Sequence, residues 1–163
     1  RRHSLARVIY QPWLAGSFDY VVKAQFDEFQ RLYGRAPDRV DGHHHMHLCS
    51  NVLLGGLLPP GILVRRNFHF AAGEKNVVNR LYRSGVDRIL ARRYRMVDFL
   101  FNLAPLEPGD RLQRIVSLAH RSVVELESHP INPQEYKFLA GGEIFRYVGD
   151  FPVASRFSLP QLV

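Results

Sequence analysis

The chain has 163 residues, of which 46% are hydrophobic and 23% charged, enough apolar material for one folded domain with a real core. Its balance of 22 Lys and Arg against 15 Asp and Glu leaves a net charge of +7. Apart from one stripe over residues 80–95 the basic residues are scattered, which favours a solvated helix face over a nucleic-acid surface. The single cysteine, Cys49, excludes an internal disulfide and suits a reducing, cytoplasmic setting. No apolar run is long enough to span a bilayer, and no signal peptide is visible.

In chain order, Ala6–Tyr10 is β-rich, and residues 1–16 read as an arm broken at Gln11-Pro12-Trp13. Val21, Val22, Phe26, Phe29 and Leu32 form an apolar stripe that predicts a helix over 18–33, closed by Gly34. A short strand is expected over Arg39-Val40-Asp41. Residues 51–58 read as a helix stopped by Pro59-Pro60-Gly61, and Ile62-Leu63-Val64-Arg65 as a strand. A loop holding His69 precedes a long helix over 75–92, with Val77, Val78, Leu81, Val86 and Leu90 as its apolar positions. Further on come a strand within 96–103, a helix over 110–121 with Leu112, Ile115, Val116 and Leu118 inward, and a strand over 122–126. Residues 131–163 form a tail to which no elements are assigned. Alternating helices and strands predict a single α/β domain over 1–163 with a mostly parallel sheet or barrel.

Chemistry concentrates in Asp41-Gly42-His43-His44-His45-Met46-His47, where four of the eight histidines fall within five residues. Neutral imidazole is the commonest protein ligand for divalent metals and titrates near neutral pH. On a strand, His43 and His45 share a face with Asp41 and His44 points away, with His43 and His47 roughly 13 Å apart. On a helix, the i,i+4 spacing brings His43 and His47 together. Spacing alone does not choose between them. A purification tag is the bland alternative, but a tag sits at a terminus and lacks the intervening Met46. Cys49 reads as packing, and His69 between Phe68 and Phe70 as packing or sugar stacking.

Arg35-Ala36-Pro37-Asp38-Arg39-Val40-Asp41-Gly42-His43-His44-His45-Met46-His47 resembles the G-[RK]-x-P-x-x-x-D-[SG]-H-H-H-x-H stretch of the YdjC-like carbohydrate deacetylases, which include chitooligosaccharide and hopanoid-biosynthesis deacetylases. Val124-Glu125-Leu126-Glu127-Ser128-His129-Pro130 is similar to that family's later E-[LV]-x-x-H-P stretch, and Val64-Arg65 to its intervening strand. The resemblance runs from about Val22 to about Pro130 and implies a partial, distorted (β/α) barrel. It implies a hydrolase that uses a divalent metal, magnesium or zinc, to remove N-acetyl groups from amino sugars or oligosaccharides. By the same resemblance His43 is a metal ligand, His129 protonates the leaving amine and Arg65 is a charge partner. Asp41, His45 and His47 form the supporting shell.

The family's early D-D-F-G and G-x-H-x-x-L-T strands have no counterpart here, and the chain opens at Arg1 without Met, so a piece lacking the first strands is expected. An open barrel of that kind exposes an edge and apolar surface, which predicts a homo-oligomer. The rival expectations are a noncatalytic truncated barrel, acting as a metal-binding or assembly module, and a nucleic-acid binder supported only by charge.

Overall fold

The computed structural model describes residues 9–70, 76–150 and Val153. The chain divides into two compact units, one of Arg1–Asn67 and Lys75–Met96, the other of Phe68–Glu74 and Val97–Val163.

In the first unit a 3-10 turn at Pro12–Leu14 leads into α1 (Ala15–Tyr33). Gly34 ends this helix at φ 66°, a left-handed conformation that glycine adopts without steric cost, and its N–H donates to the Gln30 carbonyl. Within the 1–16 stretch expected as an arm, helix has begun by Ala15 and Ile9 and Tyr10 are not in a strand; residues 1–8 lie outside the described set. Gln11 is fixed by a reciprocal pair, its N–H donating to Asn51 Oδ1 at 3.0 Å and its carbonyl accepting from Asn51 Nδ2 at 2.8 Å.

β1 (Arg39–Val40) pairs in parallel with β2 (Leu63–Val64), and Leu63 forms a parallel bridge with Arg95. Parallel neighbours need a crossover. The first is made by the histidine turn and α2 (Ser50–Gly55), the second by α3 (Val77–Ala91). Asn76 caps α3 by accepting from the Asn79 N–H at 2.8 Å. The core gathers Cys49, Val52, Leu53, Leu58, Ile62, Val64, Val86, Leu90 and Tyr94, with Phe18, Val22 and Phe26 of α1 packed against it. The helical stripes were expected to bury more. Val21 and Leu32 of α1, and Val77, Val78 and Leu81 of α3, are exposed.

In the second unit β3 (Phe99–Asn102) pairs in parallel with β4 (Val124–Glu127), from Phe99 opposite Val124 to Asn102 opposite Glu127. The crossover is α4 (Asp110–Ala119), which buries Leu112 and Ile115 while Leu118 stays exposed. Arg111 of α4 donates to the carbonyls of Asn102 and Leu103, satisfying the chain end of β3. The region expected to lack elements contains α5 (Pro133–Ala140) and α6 (Phe145–Val148), and Phe138 of α5 joins Leu103 and Leu112 in the core. Residues 151–152 and 154–163 of the tail lie outside the described set. The architecture is thus mixed helix and strand, with two short parallel sheets of two strands each and no closed barrel among the described residues.

Candidate functional site

The histidine run is neither strand nor α-helix. His43–Leu48 forms tight 3-10-type turns kinked in the middle, where His44 (φ 50°) and His45 (φ 58°) both take left-handed backbone. Two successive non-glycine residues in that region store strain of order 1 kcal/mol each, so something must hold the turn. The holder is His47.

The His47 ring is buried and turns back on its own loop. Its Nδ1 accepts from the Gly42 N–H at 2.8 Å. A backbone amide can only donate, so the proton sits on Nε2, which donates to the Arg65 carbonyl at 2.8 Å. Burial lowers the pKa of this imidazole below its usual 6.5 more than its backbone partners and the Asp41 charge raise it. His47 is therefore a neutral strut between the turn and the end of β2, with both ring nitrogens committed. Gly42 is part of the same joint: a Cβ there would lie 2.6 Å from the His47 backbone nitrogen and 2.9 Å from its Nδ1.

Arg65 completes the frame. Its Nη1 donates to both Asp41 oxygens, at 3.0 and 3.2 Å, and its backbone N–H donates to the Val40 carbonyl. The guanidinium is nearly buried and the carboxylate half exposed. One residue further, Arg66 donates to Asp87 of α3 at 2.8 Å, and Asn67 Nδ2 donates to the other Asp87 oxygen at 3.0 Å. Asp87 thereby pins the segment after β2.

His43 and His44 are exposed, their rings 4.1 Å apart. They line one side of a cleft of about 650 Å³ with Asp41, Met46 and His47. Phe18, Val22 and Phe26 of α1, with Val52 and Leu58, supply its apolar base. That volume is in the usual range of small-molecule pockets. His45 is half buried, its ring 6.1 Å from that of His47, and its N–H closes the turn onto the Gly42 carbonyl. Of the expected group, then, Asp41, His47 and Arg65 are joined by hydrogen bonds, and His43 stands beside them on the cleft wall.

His129 belongs to the second unit. Its side chain is 50% exposed, with Nε2 3.9 Å from Glu127 Oε1 and Nδ1 3.9 Å from Glu135 Oε2. Its backbone N–H donates to Glu135 Oε2 at 2.7 Å, and Asn132 Nδ2 donates to Oε1 at 2.9 Å. Glu135, only 2% exposed, thus holds the loop that presents the ring. Asn132 caps α5 through the Gln134 N–H.

Glu135, Asp87 and the close approach at Gly42 were not singled out from the sequence. Asn132-Pro133-Gln134-Glu135 did carry a signal, the cap-x-x-Glu pattern of a capping box, but here the carboxylate reaches back past the cap to His129.

No protein-family model, curated protein or solved structure matches the chain. Among the described residues no three His, Cys, Asp or Glu side chains are grouped to hold a metal ion. His47 has both ring nitrogens hydrogen-bonded, so it is not available to join His43 as a ligand. Among the described residues no helix is long and apolar enough to cross a membrane.

Proposed function

We propose that the chain is part of a metal-dependent carbohydrate deacetylase of the YdjC-like kind, a distorted (β/α) barrel that hydrolyses the acetamide of N-acetylated amino sugars. The reading is supported above all by His43, an exposed imidazole on a cleft wall, carried by a strained turn that His47 and Gly42 hold in place. In this reading His43 is one ligand to magnesium or zinc, and the remaining ligands come from residues outside this sequence or from a partner chain. The reaction adds water to the amide carbonyl, breaks the C–N bond and releases acetate and the sugar amine. An amine leaves poorly unless protonated, and the likeness of Val124–Pro130 to the family's E-[LV]-x-x-H-P stretch assigns that proton donation to His129. Arg65 acts by holding Asp41 beside the histidines, and His45 and His47 keep the turn in shape. Self-association into a homo-oligomer belongs to the same reading.

Release of acetate from N-acetylglucosamine oligomers tests it. With the residues or partner that complete the ligand set present, turnover is expected with divalent metal, and is expected to vanish with a chelator, with His43→Ala and with His129→Ala. Turnover indifferent to chelator and to His43→Ala would refute the proposal. A second reading, a noncatalytic assembly or metal-binding module, is favoured by the incomplete donor set of the histidine turn. Metal binding that depends on His43 with no acetate release would support it.

A further inference from the structure

We propose that α3 docks the chain on an anionic lipid surface, its outward face lying among the headgroups of the bilayer. The helix has two apolar faces, and the fold covers one of them. Val86 and Leu90 are buried in the core. Val77, Val78 and Leu81 stand 67%, 75% and 67% exposed, and Tyr82 and Ile89 are exposed as well. At 3.6 residues per turn these five fall within one arc of about 140°, which excludes Val86 and Leu90. Single apolar residues on a surface are ordinary, but a run of neighbours marks a place of contact.

Charge says what the contact is. Residues 76–95 hold six arginines and a single acid, Asp87. That acid is engaged, its two oxygens accepting from Arg66 and Asn67. Arg88 and Arg92 fall on the apolar arc itself, and Arg80 and Arg95 are exposed too. A nucleic-acid backbone would take the arginines but offer the valines, leucine and isoleucine nothing to bury against. A partner protein would need acids in register with each arginine, and the exposed arginines, at 80, 88, 92 and 95, keep no regular spacing. Anionic lipid makes no demand of register and rewards both kinds of side chain. The apolar ones enter the boundary of the acyl chains, and the arginines reach along their aliphatic stems to the phosphates. Tyr82, a ring with a polar tip, suits the same depth. The helix has 15 residues and lies on the surface: no described helix is long and apolar enough to cross. The inference stands on α3 alone and does not depend on the chemistry of the histidine turn.

Co-sedimentation of the chain with vesicles tests this, with circular dichroism confirming that the variants fold. Binding is expected to vesicles of equal parts phosphatidylglycerol and phosphatidylcholine, and not to phosphatidylcholine alone. Arg88→Gln with Arg92→Gln should weaken it roughly 30-fold. Val77→Ser with Leu81→Ser leaves the charge unchanged and should weaken it by roughly tenfold or more. Arg114→Gln with Arg121→Gln removes the same net charge from the other unit and should leave binding nearly as it was. No binding to the phosphatidylglycerol vesicles would overturn the proposal. Equal weakening by the two arginine pairs would reduce the contact to net charge and overturn the role of α3. Parent-like binding by the serine variant would overturn the burial of the apolar arc. Binding to duplex DNA in preference to the vesicles, lost with Arg88 and Arg92, would assign the face to nucleic acid instead.

Discussion

The histidine-bearing turns after β1 and after β4 are built in opposite ways. After β1, the imidazole of His47 is the fixed part: it is buried, bonded at both nitrogens, and holds the backbone around it. After β4, the imidazole of His129 is the presented part, and a buried carboxylate, Glu135, bonds its backbone instead. The same side chain is structure in one place and available for chemistry in the other. What decides is whether its ring nitrogens or its main chain satisfy the neighbours.

The sharpest way to break this contrast is to delete each ring. His47→Ala removes two hydrogen bonds and leaves a hole, so it should cost about 3 kcal/mol in urea unfolding. His129→Ala should stay within about 0.5 kcal/mol, as for most exposed sites. Equal losses would end the distinction. Gly42→Ala drives a Cβ toward the His47 backbone nitrogen, and crowding of that kind costs roughly 1 to 3 kcal/mol. Glu135→Ala strands two donors and should cost about 2 kcal/mol, whereas Glu135→Gln keeps an acceptor oxygen and should cost less.

Acidity sharpens the contrast further. Since the folded pKa of His47 lies below its unfolded value of 6.5, the unfolded chain takes up the proton first as pH falls. The stability from the neutral ring is whole above pH 6.5 and is lost as pH drops toward the folded value. Unfolding curves across this window should show that loss in the parent chain and not in His47→Gln. One effect is a gain: His44→Gly relieves left-handed strain at an exposed site and should stabilise by about 0.5 to 1 kcal/mol.

Much of the fold was legible because it follows local pattern. The 3.6-residue spacing of Val22, Phe26 and Phe29 placed α1, and alternating elements announced parallel pairing, as found for β1 with β2 and β3 with β4. Which apolar residues go inside was less legible, since Val77 and Val78 satisfy the period of α3 yet stand exposed. The histidine turn was misjudged because both options assumed regular backbone, while its shape is set by a ring reaching five residues back and by a carbonyl eighteen residues on. Asp41 and Arg65 were named as neighbours of the site, but their pairing through Nη1 depends on the register of β1 against β2, which residue types alone do not encode. α5 and α6 are not legible in the sequence because each is too short, at eight and four residues, for a helical period to show.

Cys49 sits at the junction of the histidine turn and α2 with none of its surface open to solvent. An alkylating reagent can reach its sulfur only when that junction comes apart. The chain therefore carries its own gauge of breathing at the cleft: the rate of thiol labelling, followed under native conditions, counts openings that no bulk melting curve would resolve.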